Sequence, residues 1–216
     1  MSHKKTMPAQ FITFEGGEGV GKSTNIEYCR QLLEQQGIDV VVTREPGGTE
    51  IAEIIRDALL KKPHSERMSD ITELLLVFAA RAQHIEAFVK PALERGCWVL
   101  CDRFTDSTIA YQGYGRGLKL DTISQLKTIA QMGIEPDKTF LLDAPIDIGM
   151  GRAQARGPAD RFEVEQLDFF TRVREGFLAI AKASPNRVHI INAAQQLTAV
   201  QADLKQALEQ QKPEPK

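Results

Sequence analysis

The chain has 216 residues, 42% apolar, 26% charged and 6% aromatic, proportions that suit one globular domain and exclude disordered, collagen-like and disulfide-stapled classes. Its 27 Lys and Arg stand against 29 Asp and Glu for a formal net charge of -2, so no overall basic field exists to coat a phosphate backbone, and nucleic acid is not expected as a partner. Three cysteines, Cys29, Cys97 and Cys101, are an odd number in a chain too long to need staples, which points to a reducing, cytoplasmic location.

The first residues, Met1 to Thr6, are basic, but the apolar stretch that export requires does not follow them. The longest apolar run, Leu74 to Ala80, is far too short to span a bilayer, so neither export nor membrane insertion is expected. Residues 1–8 read as a flexible extension and 210–216, polar and proline-containing, as a flexible tail.

Between these ends, short apolar runs alternate with amphipathic stretches. Gln10 to Glu15, Val40 to Thr43, Trp98 to Cys101, Thr139 to Leu142 and Val188 to Ile191 predict strands. Lys22 to Gln36, Thr49 to Leu60, Asp70 to Glu94, Asp121 to Gln131 and Glu163 to Ala183 predict helices from their three- and four-residue apolar spacing. Strands separated by helices imply an α/β domain whose parallel sheet is covered on both faces, and nothing marks a second domain within 1–216.

Directly after the first run stands Gly16-Gly17-Glu18-Gly19-Val20-Gly21-Lys22-Ser23, a G-x-x-x-x-G-K-[ST] pattern between a strand and a helix. Its glycines let successive N–H groups face a β-phosphate, and the helix N-terminus adds partial positive charge. Lys22 reaches the β- and γ-phosphates, and the Ser23 hydroxyl can ligate Mg²⁺. Gly16 to Thr24 are therefore the expected ATP-binding residues. A hydrolase, a switch, a motor and a kinase all remain open at this point, although the absence of an Asn-Lys-x-Asp string disfavours a guanine-specific switch. Arg44 and Arg103, each ending a predicted strand, and Arg81 on a long helix fall where such sheets place ligands, which implies a second anionic ligand.

Thr43-Arg44-Glu45-Pro46-Gly47-Gly48-Thr49, Asp102-Arg103-Phe104, Ser107-Thr108, Ala110-Tyr111-Gln112-Gly113 and the arginine segment Arg152 to Glu163 closely resemble the thymidylate kinase family, from about Phe11 to Phe177. The resemblance implies the three-layer P-loop nucleoside/nucleotide kinase fold, with a central parallel sheet of about five strands flanked by helices. It also implies transfer of the ATP γ-phosphoryl group to dTMP with Mg²⁺, and a homodimer whose seam uses the helix through Ala79. Arg44 and Arg103 would then hold the acceptor phosphate, with Arg56 among the substrate contacts. Glu18 would accept from the sugar 3′-hydroxyl, and Asp102, with Ser23, would serve the metal. On the Asp70 to Glu94 helix Arg81 would donate to thymine O4, while Phe78 either stacks on the base or simply packs in the core. Thr108 and Gln112 would add contacts to the base.

The same resemblance makes residues 143–163 a lid that brings Arg152, Arg156 and Arg161 over the transferring phosphoryl. The P-loop lacks an arginine of its own, which matches the bacterial variety of the family, in which lid arginines supply that charge. Cys97 and Cys101 read as core. His64 and His84, isolated in sequence, receive no catalytic role, and Glu34, Glu50 and Glu53 read as solvated helix faces. Without the resemblance, another nucleotide kinase or a P-loop ATPase or regulatory module would fit the cradle as well.

Overall fold

The five apolar runs are five strands, each within one residue of its expected bounds: β1 (Phe11–Glu15), β2 (Val40–Arg44), β3 (Trp98–Asp102), β4 (Lys138–Asp143) and β5 (Val188–Asn192). In this computed structural model, which describes residues 8–60, 66–155, 161–162 and 165–209, they form one parallel sheet in the order β2-β3-β1-β4-β5. The expectations for residues 1–7 and 210–216, for His64 and for Arg156 lie outside the described residues.

Alternation along each strand supplies the two covered faces. Ile12 and Phe14, Trp98 and Leu100, and Phe140 and Leu142 bury against α1 (Lys22–Gln35) and the C-terminal helix. Phe11, Val99 and Cys101 point the other way and pack with Ile85, Val89 and Ala92, while Leu141 meets Phe170, Val173 and Phe177. The three cysteines are free, and burial pushes the Cys29 thiol up to about 12, so it behaves as a small apolar core group.

α2 (Glu50–Leu60) and α3 (Asp70–His84) follow, the latter capped by Ser69, whose side chain accepts from the Thr72 amide. The expected single helix to Glu94 is interrupted by a π-helical turn at Ile85–Val89 before α4 (Lys90–Glu94). Pro91 has no N–H to give the Ala87 carbonyl, so the turn before it widens to an i to i−5 bond, Lys90 N–H to Ile85 O. After β3 come α5 (Thr105–Thr108), a second π-helical stretch at Ile109–Gly115, and α6 (Leu120–Gln131).

Besides α5 and the π-helical stretch after it, α7 (Ile146–Gln154) and α9 (Leu197–Glu209) went unpredicted, although Val200, Leu204, Ala207 and Leu208 carry a helical repeat that their burial makes plain. α8 (Leu167–Ala183) has Gln166, in extended conformation, as its cap residue, while the expected start at Glu163 lies outside the described residues. Chain reversal around β1, flanked by β3 and β4, puts the sheet's switch point at the C-terminal ends of β1 and β3, where open α/β sheets bind ligands.

Candidate active site

Strand register assembles the site before any side chain is considered. Arg44 lies beside Asp102 and Asp102 beside Phe14, so the ends of β2, β3 and β1 line up directly below the loop 16–21. Backbone bonds from Glu45 N–H to Asp102 O (2.9 Å) and from Arg103 N–H to Phe14 O (2.9 Å) carry that alignment past the strand ends. Arg103 has φ 68°, a left-handed conformation that costs a non-glycine residue on the order of 1 kcal/mol, which the surrounding bonds must offset.

The glycines of the loop allow close approach. Gly19 has φ 66°, and a Cβ there would run into the Gly149 carbonyl on α7, while one at Gly149 would meet the Glu18 carbonyl at 2.5 Å. The helix that leads into the arginine segment thus sits directly on the cradle.

Between the loop, the strand ends and α2 lies a cleft of about 480 Å³. Lys22, Arg44, Arg56, Arg103 and Arg152 line it together with Asp102, Ser23, Thr24 and the loop residues Glu18 to Gly21. Five cations against three carboxylates, Glu18, Glu45 and Asp102, leave this cavity net positive in a chain of net charge -2, as a polyphosphate site requires. Lys22 folds back on the loop, its amine donating to the carbonyls of Gly17 (2.9 Å) and Gly16 (3.3 Å). Burial, reinforced by the charge of Arg103, holds its pKa below the ordinary lysine value.

Arg103 is braced from three sides: Nη2 donates to Glu18 Oε1 (2.7 Å), and Nη1 donates to Gly16 O (2.9 Å) and Ser107 Oγ (3.2 Å). The Tyr111 hydroxyl donates to the same Glu18 oxygen at 2.6 Å, with the guanidinium 5.0 Å over its ring. Beneath them Glu15 receives the Phe104 amide (2.7 Å) and the Ser107 hydroxyl (2.5 Å), so Ser107 ties the strand ends together. Burial, with the nearby charge of Asp106, pushes the Glu15 carboxyl up to about 8.

On the opposite wall Arg44 donates to Glu53 at 3.0 and 3.1 Å, and Arg56 donates to the Pro46 carbonyl at 2.7 Å. Glu53 is therefore not a solvated helix face: it also receives the Gly48 amide at 2.8 Å and pins the loop after β2. Arg152 donates to the Ala193 carbonyl at 2.8 Å, just past β5, and stays on the cleft wall. Asp102 keeps one buried carboxylate oxygen with no partner among the described residues, in the same cavity as the exposed Ser23.

Under the cleft, Arg81 is fully enclosed: Nε donates to Glu45 (2.7 Å) and Nη2 to Thr108 Oγ1 (2.9 Å). Its Nη1 has no partner among the described residues. Phe78 packs with Leu74, Ile123 and Ala130, the core alternative, with the Arg81 guanidinium 5.0 Å from its ring centroid. Gln112 donates to Glu73 at 2.7 Å.

Arg161 departs from expectation. It does not line the cleft; Nη2 donates to Glu73 at 2.5 Å and Nε to the Leu59 carbonyl at 2.7 Å. Glu73 is a buried carboxylate that also draws Arg116 (3.2 Å), and a buried negative charge recruits whichever cations can reach it. Sequence reasoning missed Glu45, Glu73, Tyr111 and Glu15. Glu45 and Tyr111 stood inside motifs already singled out, whereas Glu73 and Glu15 carried no signal beyond a charge beside apolar neighbours.

Residues 14–204 match the thymidylate kinase family model. A thymidylate kinase of Pseudomonas fluorescens (strain Pf-5) is 56% identical over 204 residues, 94% of this chain and 97% of that protein. One from Teredinibacter turnerae is 54% identical over 203 residues, 94% and 98% of the two chains. The crystal structure of thymidylate kinase from Ehrlichia chaffeensis superposes with a TM-score of 0.77 at 36% identity, covering 94% of this chain and all of that one. The P-loop cleft, its second set of cations and these relatives agree, and the chain belongs to the thymidylate kinase family.

Proposed function

We propose that the protein is an ATP-dependent dTMP kinase, transferring the γ-phosphoryl group of ATP to dTMP to give dTDP and ADP on the route to dTTP. The observation that carries this reading is one cleft in which Lys22 and the loop residues Glu18 to Thr24 stand with Arg44 and Arg103, room and charge for a donor polyphosphate opposite an acceptor phosphate. Guanidinium forks match phosphate oxygens bidentately, so Arg44, Arg56 and Arg103 hold the acceptor for in-line attack. The attacking oxygen belongs to a phosphate and is already anionic, so no general base is required.

Lys22 leaves the loop carbonyls for the β- and γ-oxygens, and Arg152 adds charge over the group in transit while helping to exclude water. Ser23 and Asp102 fit Mg²⁺, a hydroxyl and an unpartnered buried carboxylate oxygen in the same cavity, and would hold the ion that neutralises charge between the phosphates. Glu18 receives the sugar 3′-hydroxyl, Arg81 Nη1 donates to thymine O4, and Thr108 and Gln112 complete the base contacts.

An ADP-release assay with dTMP, dUMP, dCMP, dGMP and thymidine tests the reading. The highest kcat/KM is expected with dTMP; a higher value with any other acceptor, or ATP turnover indifferent to acceptor, would sink it. A homodimer is part of the same proposal: Ile71, Leu75 and Ala79 form an exposed stripe along α3, continued by Ile51 and Ile54 on the adjoining α2. Light scattering should give twice the chain mass, and Leu75→Glu should halve it. The place of the reaction is the cytoplasm, with which three free thiols are compatible.

A further inference from the structure

A buried polar chain runs from β2 through α3 to α5. Thr43 Oγ1 lies 2.7 Å from His84 Nε2, and His84 Nδ1 lies 2.9 Å from Glu45 Oε1. Glu45 Oε2 receives Arg81 Nε at 2.7 Å, and Arg81 Nη2 donates to Thr108 at 2.9 Å. All five residues are buried, His84 completely. A carboxylate only accepts, so the ring hydrogen on Nδ1 points to Glu45, and the Thr43 hydroxyl serves Nε2 in either direction.

His84 follows Arg81 by three positions on α3, and the two side chains grip the two oxygens of one carboxylate from adjacent turns of one helix. That carboxylate cannot rotate without breaking one of the two bonds. Arg81 is in turn held at Nε and Nη2, which leaves Nη1 as its donor without a protein partner among the described residues.

The imidazole is itself held tightly. Phe88 stacks on it at 5.7 Å, and a Cβ at Gly48 would come within 2.7 Å of its ring, so the loop after β2 wraps directly over it. His84, isolated in sequence, is thus bonded at both ring nitrogens in the fold.

We propose that His84 is a positioning residue for acceptor selection: through Glu45 it fixes the Arg81 guanidinium, and so sets the preference for a 4-oxo pyrimidine over a 4-amino one. The proposal rests on the reading of Arg81 as the donor to thymine O4. A fixed N–H favours an oxygen acceptor and meets the cytosine 4-amino group donor to donor, an arrangement that costs both bonds. Without His84, Glu45 Oε1 is a buried unpaired acceptor; the carboxylate turns toward other donors, and Arg81 is no longer held in one orientation.

The test is steady-state kinetics with dTMP and dCMP for the wild type, His84→Leu, His84→Asn, Arg81→Met and the double variant Arg81→Met/His84→Leu. His84→Leu should raise the KM for dTMP about tenfold and cut the dTMP-to-dCMP ratio of kcat/KM about tenfold, with the KM for ATP unchanged. His84→Asn, which keeps an N–H near the Nδ1 position, should recover most of both losses. In the Arg81→Met background, His84→Leu should add less than about twofold, because the two act as one unit.

A His84→Leu enzyme that loses kcat equally with both acceptors and keeps their ratio would overturn the proposal, as would an undiminished effect of His84→Leu in the Arg81→Met background. If Arg81→Met alone leaves the ratio untouched, the base-reading role of Arg81 fails first and takes the proposal with it, an outcome the single variant identifies. Should His84→Leu not fold, His84→Gln, with its donor displaced by one methylene, carries the same prediction at about threefold.

Discussion

Arg44, on the wall of the cleft, and Arg81, enclosed beneath it, are held in opposite ways. Arg44 is 53% exposed and pairs with Glu53, itself 40% exposed, whereas Arg81 is 1% exposed and bonded at both Nε and Nη2. An exposed pair is worth at most about 1 kcal/mol and exchanges readily, so a phosphate dianion can take Arg44 from Glu53. A buried guanidinium with fixed partners does not exchange; it holds its unpartnered Nη1, with two N–H groups, in one orientation. The same contrast separates the two halves of the site. Three cations lining the cleft rest on carbonyls or an exposed carboxylate, Lys22 on loop carbonyls, Arg152 on the Ala193 carbonyl and Arg44 on Glu53, whereas Arg103 is braced at three points and Arg81, Thr108 and Gln112 beneath the cleft sit in buried chains. On the proposed function, most of the phosphate-holding cations rearrange on binding, while base discrimination is built in beforehand.

If that division is right, substitutions above and below the cleft floor should fail differently. The largest effect is expected at Lys22→Ala: kcat lower by about a thousandfold, roughly 4 kcal/mol of lost transition-state stabilisation, with thermal stability nearly unchanged. Parallel losses of kcat and Tm would mean that Lys22 is chiefly a structural clamp. Below the floor, Glu73→Leu strips the carboxylate from Gln112, Arg116 and Arg161 together and should lower the unfolding free energy by about 3 kcal/mol in urea titration. A loss under about 1 kcal/mol would mean that water already satisfies those guanidiniums. Arg44→Ala comes third, with a KM for dTMP about tenfold higher and a Tm within about 1 °C of wild type. A clear drop in Tm would show that the Arg44–Glu53 pair is not the replaceable contact its exposure implies.

How much of this was legible beforehand follows from chain distance. The phosphate cradle is contiguous, Gly16 to Ser23, because a loop that binds through its own backbone writes its whole design in one stretch of sequence. Arg44 and Arg103 were visible because they end apolar strands, and strand ends are where such sheets bind. What stayed hidden are partnerships across the chain: Arg81 with Glu45 at a separation of 36 residues, Arg161 with Glu73 at 88, Tyr111 with Glu18 at 93. Arg161 is the instructive case. Its neighbours in sequence predict a lid arginine, but a buried carboxylate on α3, invisible in that local window, decides where the guanidinium rests. α9 was missed for another reason, since its apolar repeat lies among polar residues and alanines that dilute the pattern.

Glu15 offers the finest discrimination between the two kinds of holding, because it joins the upper site to the buried layer through Ser107 and Arg103. Burial, aided by Asp106, pushes its carboxyl from 4.5 up to about 8. The folded protein therefore binds a proton there that the unfolded chain has released, over the whole interval between those two values. Stability must then fall as pH rises from about 4.5 to 8 and level off above, with a slope of at most about 1.4 kcal/mol per pH unit from this group. Glu15→Gln mimics the protonated form: its oxygen still accepts from the Phe104 amide and its NH₂ donates to Ser107, with no charge to desolvate. The variant should show a flatter Tm-against-pH curve than wild type below pH 8, and its advantage should be greatest at the alkaline end of that interval. Parallel curves would mean that Glu15 ionises in the fold at its ordinary pKa, with Arg103 compensating its charge, and that this layer is as rearrangeable as the cleft above it.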